Sequence, residues 1–442
     1  MKSRILMCIT AMTLFAGLAV PVRLAAQDNH NGNQAPAQTF TVLHTFTGSP
    51  DDGACASNIL RDGNGTLYST TYFGGLYGFG TVFKLDKSGK ETVLYSFTGG
   101  ADGALPNDNL VRDEEGNLYG TTQDGGLACT VAAQYGENGC GVVFKLDTRG
   151  KETVLYSFSG GADGGMPGSV AMDRKGNFYG ITSYGGNMSC SVAFLPGYGC
   201  GAVFKLDRSG NETVLHSFSG VPDGALPYPF LTMDESGNIY GASQLGGSSP
   251  NPEVCLGWGC GVVYKLDSGG ILTALHTFTG GADGFVPNGP LLLDDEGNLY
   301  GTAEWGGNLT CNSPLGCGVV FKLDRRGNET VLHTFTDGAD GAIPNIGMSW
   351  DLEGNLLGTA AYGGDPTCNS WFGCGVVFKL DRRGKETVLH SFAGSADGAF
   401  PNELVTVDRQ GNLYSDTNGG GDLSCETPFA PWGCGVVFKL KP

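Results

Sequence analysis

LVRDEEGNLYGTT (Leu110–Thr122), GVVFKLD (Gly141–Asp147) and ETVLYSF (Glu152–Phe158) decide the fold, because near-copies of this set recur along the chain. The TVL motif or its TAL variant begins at Thr41, Thr92, Thr153, Thr213, Thr273, Thr330 and Thr387, with spacings from 51 (41 to 92) to 61 (92 to 153). GNLYG variants follow the same count, near Leu67, Leu118, Phe178, Ile239, Leu299, Leu356 and Leu413. A strand-rich repeat of this length is the signature of propeller blades rather than helical solenoids. Within one copy, Leu110–Asp113 reads as a short apolar strand and Glu114–Asn117 as a tight turn. Leu118–Thr122 returns as a second strand, Gly141–Leu146 is a third, Asp147–Gly150 turns again, and Thr153–Phe158 closes the unit. Asp-x-x-Gly between β-branched and aromatic runs is a hairpin signal, with glycine at the left-handed position. GVVFKL is apolar on both alternating faces except for its lysine, as a strand covered on both sides should be.

Four strands and seven copies predict an all-β, seven-bladed propeller of antiparallel blades. The chain ends predict how the ring closes. Thr41–Phe46 is an outermost strand with no inner strands before it. Leu404–Asp408, Asn412–Ser415 and Gly435–Leu440 are three strands with no outermost one after them. One strand plus three makes the missing blade, so the N-terminal strand is expected to complete the last repeat. The propeller is assigned to residues 39–442.

Residues 1–26 read as a secretory signal: a basic start (Lys2, Arg4), an apolar run from Ile5 to Val20, and Ala25-Ala26 before the cut. Residues 27–38 read as a polar linker. The 26 Lys+Arg against 44 Asp+Glu give −18; without Lys2, Arg4 and Arg23 the balance is 23 against 44, or −21. Such a surface repels phosphate backbones and anionic membranes, which sets nucleic acid aside as a partner.

Of 14 cysteines, Cys8 lies in the signal and Cys55 stands alone where the next repeat has Leu105, reading as a buried free thiol. Twelve fall two per repeat in the loop between GNLYG and GVVFKL: Cys129 and Cys140, Cys190 and Cys200, Cys255 and Cys260, Cys311 and Cys317, Cys368 and Cys374, Cys425 and Cys434. Such pairs in an exported chain read as six disulfides. Zinc would need two loops to meet, since no histidine or further cysteine accompanies any pair. No metal and no cofactor is expected.

G-N-L-Y-G-T-T, G-C-G-V-V-F-K-L-D and E-T-V-L-H-S-F resemble the GloVer (Gloeo/Verruco) tandem repeat, whose exported bacterial members are called "choice-of-anchor" proteins for their differing C-terminal surface anchors. The likeness runs from Thr41 to Pro442 and implies a propeller as well. It brings no catalytic residues. The last strand motif ends two residues before Pro442 with no anchor after it, so a secreted or periplasmic monomer is expected.

With strands counted outward from the axis, the loop joining second to third shares a face with the D-G-A-x-P-N segment leading into each next blade. Variable loops on a rigid scaffold carry binding, so this cystine-loop face is the place to look. Aromatics concentrate there: Trp258, Trp305, Tyr362, Trp371, Phe372 and Trp432 are the candidate ligand-binding residues, with Tyr135, Tyr184, Phe194, Tyr198 and Phe429 nearby. Asp52, Asp102, Asp163, Asp223, Asp283, Asp340 and Asp397 form a ring that reads as Asx-type turns, with a calcium site as the rival. His44, His216, His276, His333 and His390 share one outer-strand position, held by Tyr95 or Tyr156 elsewhere, and read as structural. No local nucleophile–base–acid signature or phosphate loop appears, and catalytic residues are assigned to none. Blade-specific departures are Arg61, Arg112, Asp124 and Glu304. The expected function is a non-catalytic module binding an extracellular glycan or protein. A polysaccharide hydrolase or lyase and a purely structural surface protein are the alternatives.

Overall fold

The computed structural model describes residues 38–129, 139–190, 197–248, 255, 257–368, 372–425 and 432–442. The segment read as a signal peptide, and the linker up to residue 37, lie outside them. Seven antiparallel sheets, each of four strand positions, follow one another along the chain. In blade 2 the inner strand is Ala104–Arg112, the second Leu118–Asp124, the third Val142–Leu146 and the outermost Glu152–Ser157. In blades 1 and 4 the inner strand is split in two, Gly53–Ala56 with Leu60–Arg61 and Ala225–Pro227 with Thr232–Met233.

The ring closes as the chain ends predict. Thr39–Thr45 pairs antiparallel with Val436–Lys441, from Thr39 opposite Lys441 to Thr45 opposite Val436. Leu413–Asp416 and Thr406–Val407 complete that sheet, which is blade 7. The first and last strands of the propeller therefore lie side by side.

Blades adhere through the strands that are apolar on both faces. Val142, Val143 and Phe144 are fully buried, and only Lys145 of that strand reaches outward. At every seam a phenylalanine just past one outermost strand meets an aromatic ring in the third strand of the next blade. Phe46–Phe83, Phe97–Phe144, Phe158–Phe204, Phe218–Tyr264, Phe278–Phe321, Phe335–Phe378 and Phe392–Phe438 stand edge-on, with centroids 5.0 to 5.5 Å apart. Each such pair adds about 0.5–1.5 kcal/mol beyond the area it buries.

The short turns use local carboxylates. Asp113 accepts from the Asn117 amide (2.8 Å), the Asn117 side chain (2.7 Å) and the Tyr119 hydroxyl (3.0 Å), while Gly116 takes φ 90°. Asp147 accepts from the Arg149 and Lys151 amides at 2.8 and 2.9 Å. These bonds, that from Lys151 foremost, hold the Asp147 carboxyl below the usual range.

Candidate functional site

The cystine-loop face is built around the six expected disulfides: Cys129–Cys140, Cys190–Cys200, Cys255–Cys260, Cys311–Cys317, Cys368–Cys374 and Cys425–Cys434. Cys55 is a buried free thiol. All six pairs form as read, and Cys140, Cys200 and Cys260 are buried within the apolar clusters that join neighbouring blades. The cause is the apolar character of the bridge, which is driven out of water and into the seam like any core side chain. These three therefore present no surface to a ligand and act only by holding their loops. Bridge sulfurs pack against the next blade, where Gly48 and Gly394 have no room for a Cβ because Cys425 with Cys434, and Cys368 with Cys374, occupy that space. In blade 1, which lacks a bridge, the Phe79 ring presses on Gly99 in the same way.

Next to these packing points, the x of D-G-A-x-P is a non-glycine residue in the left-handed region. Cys55, Leu105, Met166, Leu226, Val286, Ile343 and Phe400 all have φ between 51° and 56°. The amide of this residue donates back across the seam. Met166 bonds the Cys140 carbonyl, Val286 that of Cys260, Phe400 that of Cys374 and Cys55 that of Cys434, at 2.9, 3.0, 2.9 and 3.2 Å. A left-handed L-residue costs roughly 1–2 kcal/mol, and the seam bond holds it there. Its side chain is delivered beside the neighbouring cystine loop.

In blades 6 and 7 this arrangement produces a run of rings. Phe372 lies 5.6 Å from Tyr362, Tyr362 lies 5.9 Å from Phe400, and Phe400 lies 5.4 Å from Trp432. The two ends are open, with Phe372 61% and Trp432 48% exposed, while Tyr362 is half-buried and Phe400 buried. Three of these residues are among the sequence candidates; Phe400 is not. Its signal is the single aromatic at the left-handed position of the repeat.

The other candidates do not extend the run. Trp305 ends the strand Leu299–Trp305 and packs half-buried into the apolar clusters on both sides of its blade. Trp258 is half-buried in the blade 4 loop, its amide bonded to the Cys255 carbonyl. Tyr184 and Tyr198 stack edge-on with each other, 5.0 Å apart, in blade 3. Trp371, Tyr135, Phe194 and Phe429 lie outside the described residues. Between blades 5 and 6, burial pushes the Glu304 carboxyl far above its usual range. Burial, reinforced by Glu304, also raises the Tyr362 phenol.

The aspartate ring is built into turns. Asp163 accepts from the Ser159 amide (2.8 Å) and hydroxyl (2.5 Å), and Asp223 accepts from the Ser219 amide (3.1 Å). Each of these aspartates also meets the ring of the strand before it. Tyr95 and Tyr156 donate to Asp102 and Asp163 at 3.0 and 3.2 Å, and His216 Nε2 lies 2.8 Å from Asp223. Read from sequence, the aspartates and histidines are two separate rings; their spacing, eight residues for His44 and Asp52 and seven in the other copies, is the available sign that they pair. Arg61 lies over Tyr414 and Arg112 over Tyr68, each in the seam slot where Trp350 meets Tyr300. Both arginines are therefore seam residues.

A cavity of about 1240 Å³ runs along the axis between the inner strands of all seven blades. None of the predicted site residues lines it. It opens among the Asp-x-x-Gly turns, at Asp234–Ser236, Asp294 and Arg325, on the face opposite the cystine loops. Tyr228 and Phe230 of blade 4 meet Ile346 of blade 6 and Leu404 of blade 7 across the axis. Phe230 and Leu404 of this cluster also line the cavity.

Ring closure and repeated seams define a seven-bladed, disulfide-bonded β-propeller. The chain belongs to the Gloeobacter/Verrucomicrobia repeat family, whose sequence profile matches residues 33–195, 130–251 and 192–429. No curated protein matches the sequence. Among solved structures it is similar to the extracellular domain of the one-component system BT4673 from B. thetaiotaomicron, at 8% identity and TM-score 0.52 over 89% of this chain. The chain spans 39% of that protein's length. Puromycin hydrolase, as an S511A mutant complexed with PGG, aligns at 12% identity and TM-score 0.50, over 83% of this chain and 50% of the enzyme. At such identities the likeness is one of fold.

Proposed function

We propose that the protein is an exported, non-catalytic module that binds a glycan on its cystine-loop face. The observation that carries this reading is the run Phe372–Tyr362–Phe400–Trp432, spanning two blades with both ends exposed. Aromatic faces pack against the apolar faces of sugar rings, and the exposed Phe372 and Trp432 offer such rings at the two ends of the run. Phe372 and Trp432 each stand two residues before a bridged cysteine, Cys374 and Cys434, and a cross-link so near reduces the freedom that binding has to remove. Six bridges suit an oxidising compartment, which supports export.

The test is a glycan array with the purified protein beside Phe372→Ala and Trp432→Ala. Binding that falls at least tenfold in each variant, with no release of reducing ends from the bound glycan, supports the reading. Binding that survives both changes refutes the shelf, and glycan cleavage refutes the non-catalytic assignment in favour of a hydrolase or lyase.

A further inference from the structure

At some seams the pairing of ring residue and aspartate acquires a third member. The glutamate that opens the outermost strand of one blade lies against the ring–aspartate pair of the blade before it. We propose that two of these seams, His44–Asp52–Glu91 and His276–Asp283–Glu329, each bind a divalent transition-metal ion of the zinc type. Each set draws on three elements: an outermost strand for histidine, the loop leading into the next blade for aspartate, and that blade's outermost strand for glutamate.

The geometry is that of ligands around an ion. His44 Nε2 lies 3.2 Å from Asp52 Oδ1 and 3.5 Å from Glu91 Oε2. His276 Nε2 lies 3.7 Å from Asp283 Oδ2 and 3.9 Å from Glu329 Oε2. In each set the three ligand atoms fall within 4.8 Å of one another. Tetrahedral zinc with bonds of about 2.0–2.2 Å sets its ligand atoms about 3.3–3.6 Å apart. The Glu91 side chain is nine-tenths buried, and its Oε1 makes no hydrogen bond. His276 Nε2 and Glu329 Oε1 are likewise buried without one, as are Glu152, Glu212 and Glu386 Oε1 at other seams, so the orphaned oxygen is common to the ring and the convergence of three ligand atoms is what singles out these two. Buried polar atoms left in this state call for an ion, a water or a proton to satisfy them. One imidazole and two carboxylates suit zinc; calcium takes six to eight oxygens.

Other seams of the same ring serve as controls. Where Leu272 replaces the glutamate, His216 closes onto Asp223 at 2.8 Å. Where Phe40 replaces it, His390 stacks on the Phe40 ring at 3.9 Å. Where tyrosine replaces histidine, its hydroxyl donates directly to Asp102 or Asp163. His333 and Asp340, 3.4 Å apart, have Glu386 in the third role but outside the 4.8 Å radius. Histidine–aspartate separation does not by itself mark the complete sets, being 3.7 Å at His276 but 3.2 Å at His44, against 3.4 Å at His333 and 3.3 Å at His390; the third ligand within reach is what sets them apart. At the His44 seam, an ion would join the strand that completes blade 7 to the outermost strand of blade 1.

The experiment uses untagged protein stripped with chelator and titrated with zinc, with calcium in parallel. Bound metal is counted after dialysis and melting is followed with and without zinc. The expected result is at least two zinc ions per chain, a higher Tm with zinc but not with calcium, and one ion fewer in each of Glu91→Gln and Glu329→Gln. Leu272→Glu should add an ion at His216 and Asp223, a gain that misfolding does not produce. Absence of bound zinc, an unchanged count in both glutamine variants, or an equal response to calcium would overturn the proposal. Glycan binding is read separately on the Phe372 and Trp432 variants, so either proposal can fail alone.

Discussion

Replacing Tyr264 by phenylalanine should stabilise the propeller. The residue sits at the third-strand position that is Phe83, Phe144, Phe204, Phe321, Phe378 or Phe438 in the other blades. Its ring already makes the same edge-on contact, with Phe218 at 5.1 Å. The side chain is fully buried, its hydroxyl makes no hydrogen bond, and burial raises its phenol pKa. Such a hydroxyl costs about 1–3 kcal/mol. Against that gain, removing one oxygen leaves roughly 10 Å³ of space, worth about 0.3 kcal/mol. The net expectation is about 1–2 kcal/mol in favour of Tyr264→Phe. At about 2.1 cal/mol/K per residue over about 400 ordered residues, this is a rise of only about 1–3 °C in Tm. Urea unfolding is therefore the sharper assay, with the midpoint expected to rise at unchanged m-value. A midpoint that stays put or falls would refute the reasoning and show that the hydroxyl is satisfied, by a buried water for example.

Deleting residues 39–46 removes the outermost strand of blade 7 together with Phe46, and should lower Tm by more than 5 °C or so, as calorimetry would show; an unchanged Tm would contradict the closure. Asp416 is fully buried, has no hydrogen bond on either oxygen, and stands where other blades have Thr70, Thr121, Thr302 or Thr359. Burial, then the neighbouring Cys55, raises its carboxyl well above 3.8, so the native state is progressively weakened as pH climbs past that value. Asp416→Thr should stabilise, and the gain in urea midpoint should be larger at about pH 8 than at about pH 4. Glu152 and Glu212 are raised from 4.5 to about 7, by burial first and then by Asp102 and Asp163, which are bonded to Tyr95 and Tyr156. The folded state keeps these protons longer than the unfolded chain, so stability falls as pH rises from 4.5 through 7. The double change to glutamine should flatten that limb of the pH–stability curve.

Blade number and strand order were legible because they depend on residues within one repeat, and closure because the two chain ends carry complementary parts of a single copy, one outermost strand at the start and three inner strands at the end. The six bridges were legible for the same reason: each pair sits inside a single loop. Their burial was not, because the cover over Cys140, Cys200 and Cys260 comes from the neighbouring blade. What escaped, here and elsewhere, are contacts between repeats. Phe400 belongs to blade 7, yet its ring lies between Tyr362 of blade 6 and Trp432 of its own blade. Glu91 opens the outermost strand of blade 1, and only the ring brings it to His44, 47 positions earlier (91 − 44). Trp305 reads as an exposed loop aromatic, but it ends a strand and is claimed by the clusters on both sides of its blade. The axial cavity was illegible because its wall takes one short stretch from every blade.

The left-handed residue at each seam has a consequence for how such a protein diversifies. Its backbone conformation is imposed by the flanking glycine and the bond across the seam, while its side chain ranges over Cys55, Leu105, Met166, Leu226, Val286, Ile343 and Phe400. Five of these seven side chains, Cys55, Met166, Leu226, Ile343 and Phe400, are buried, so a change there is felt through the cystine loop it packs against, as Phe400 is felt between Tyr362 and Trp432. Each seam thus has one position where the backbone is fixed and the side chain is free to vary.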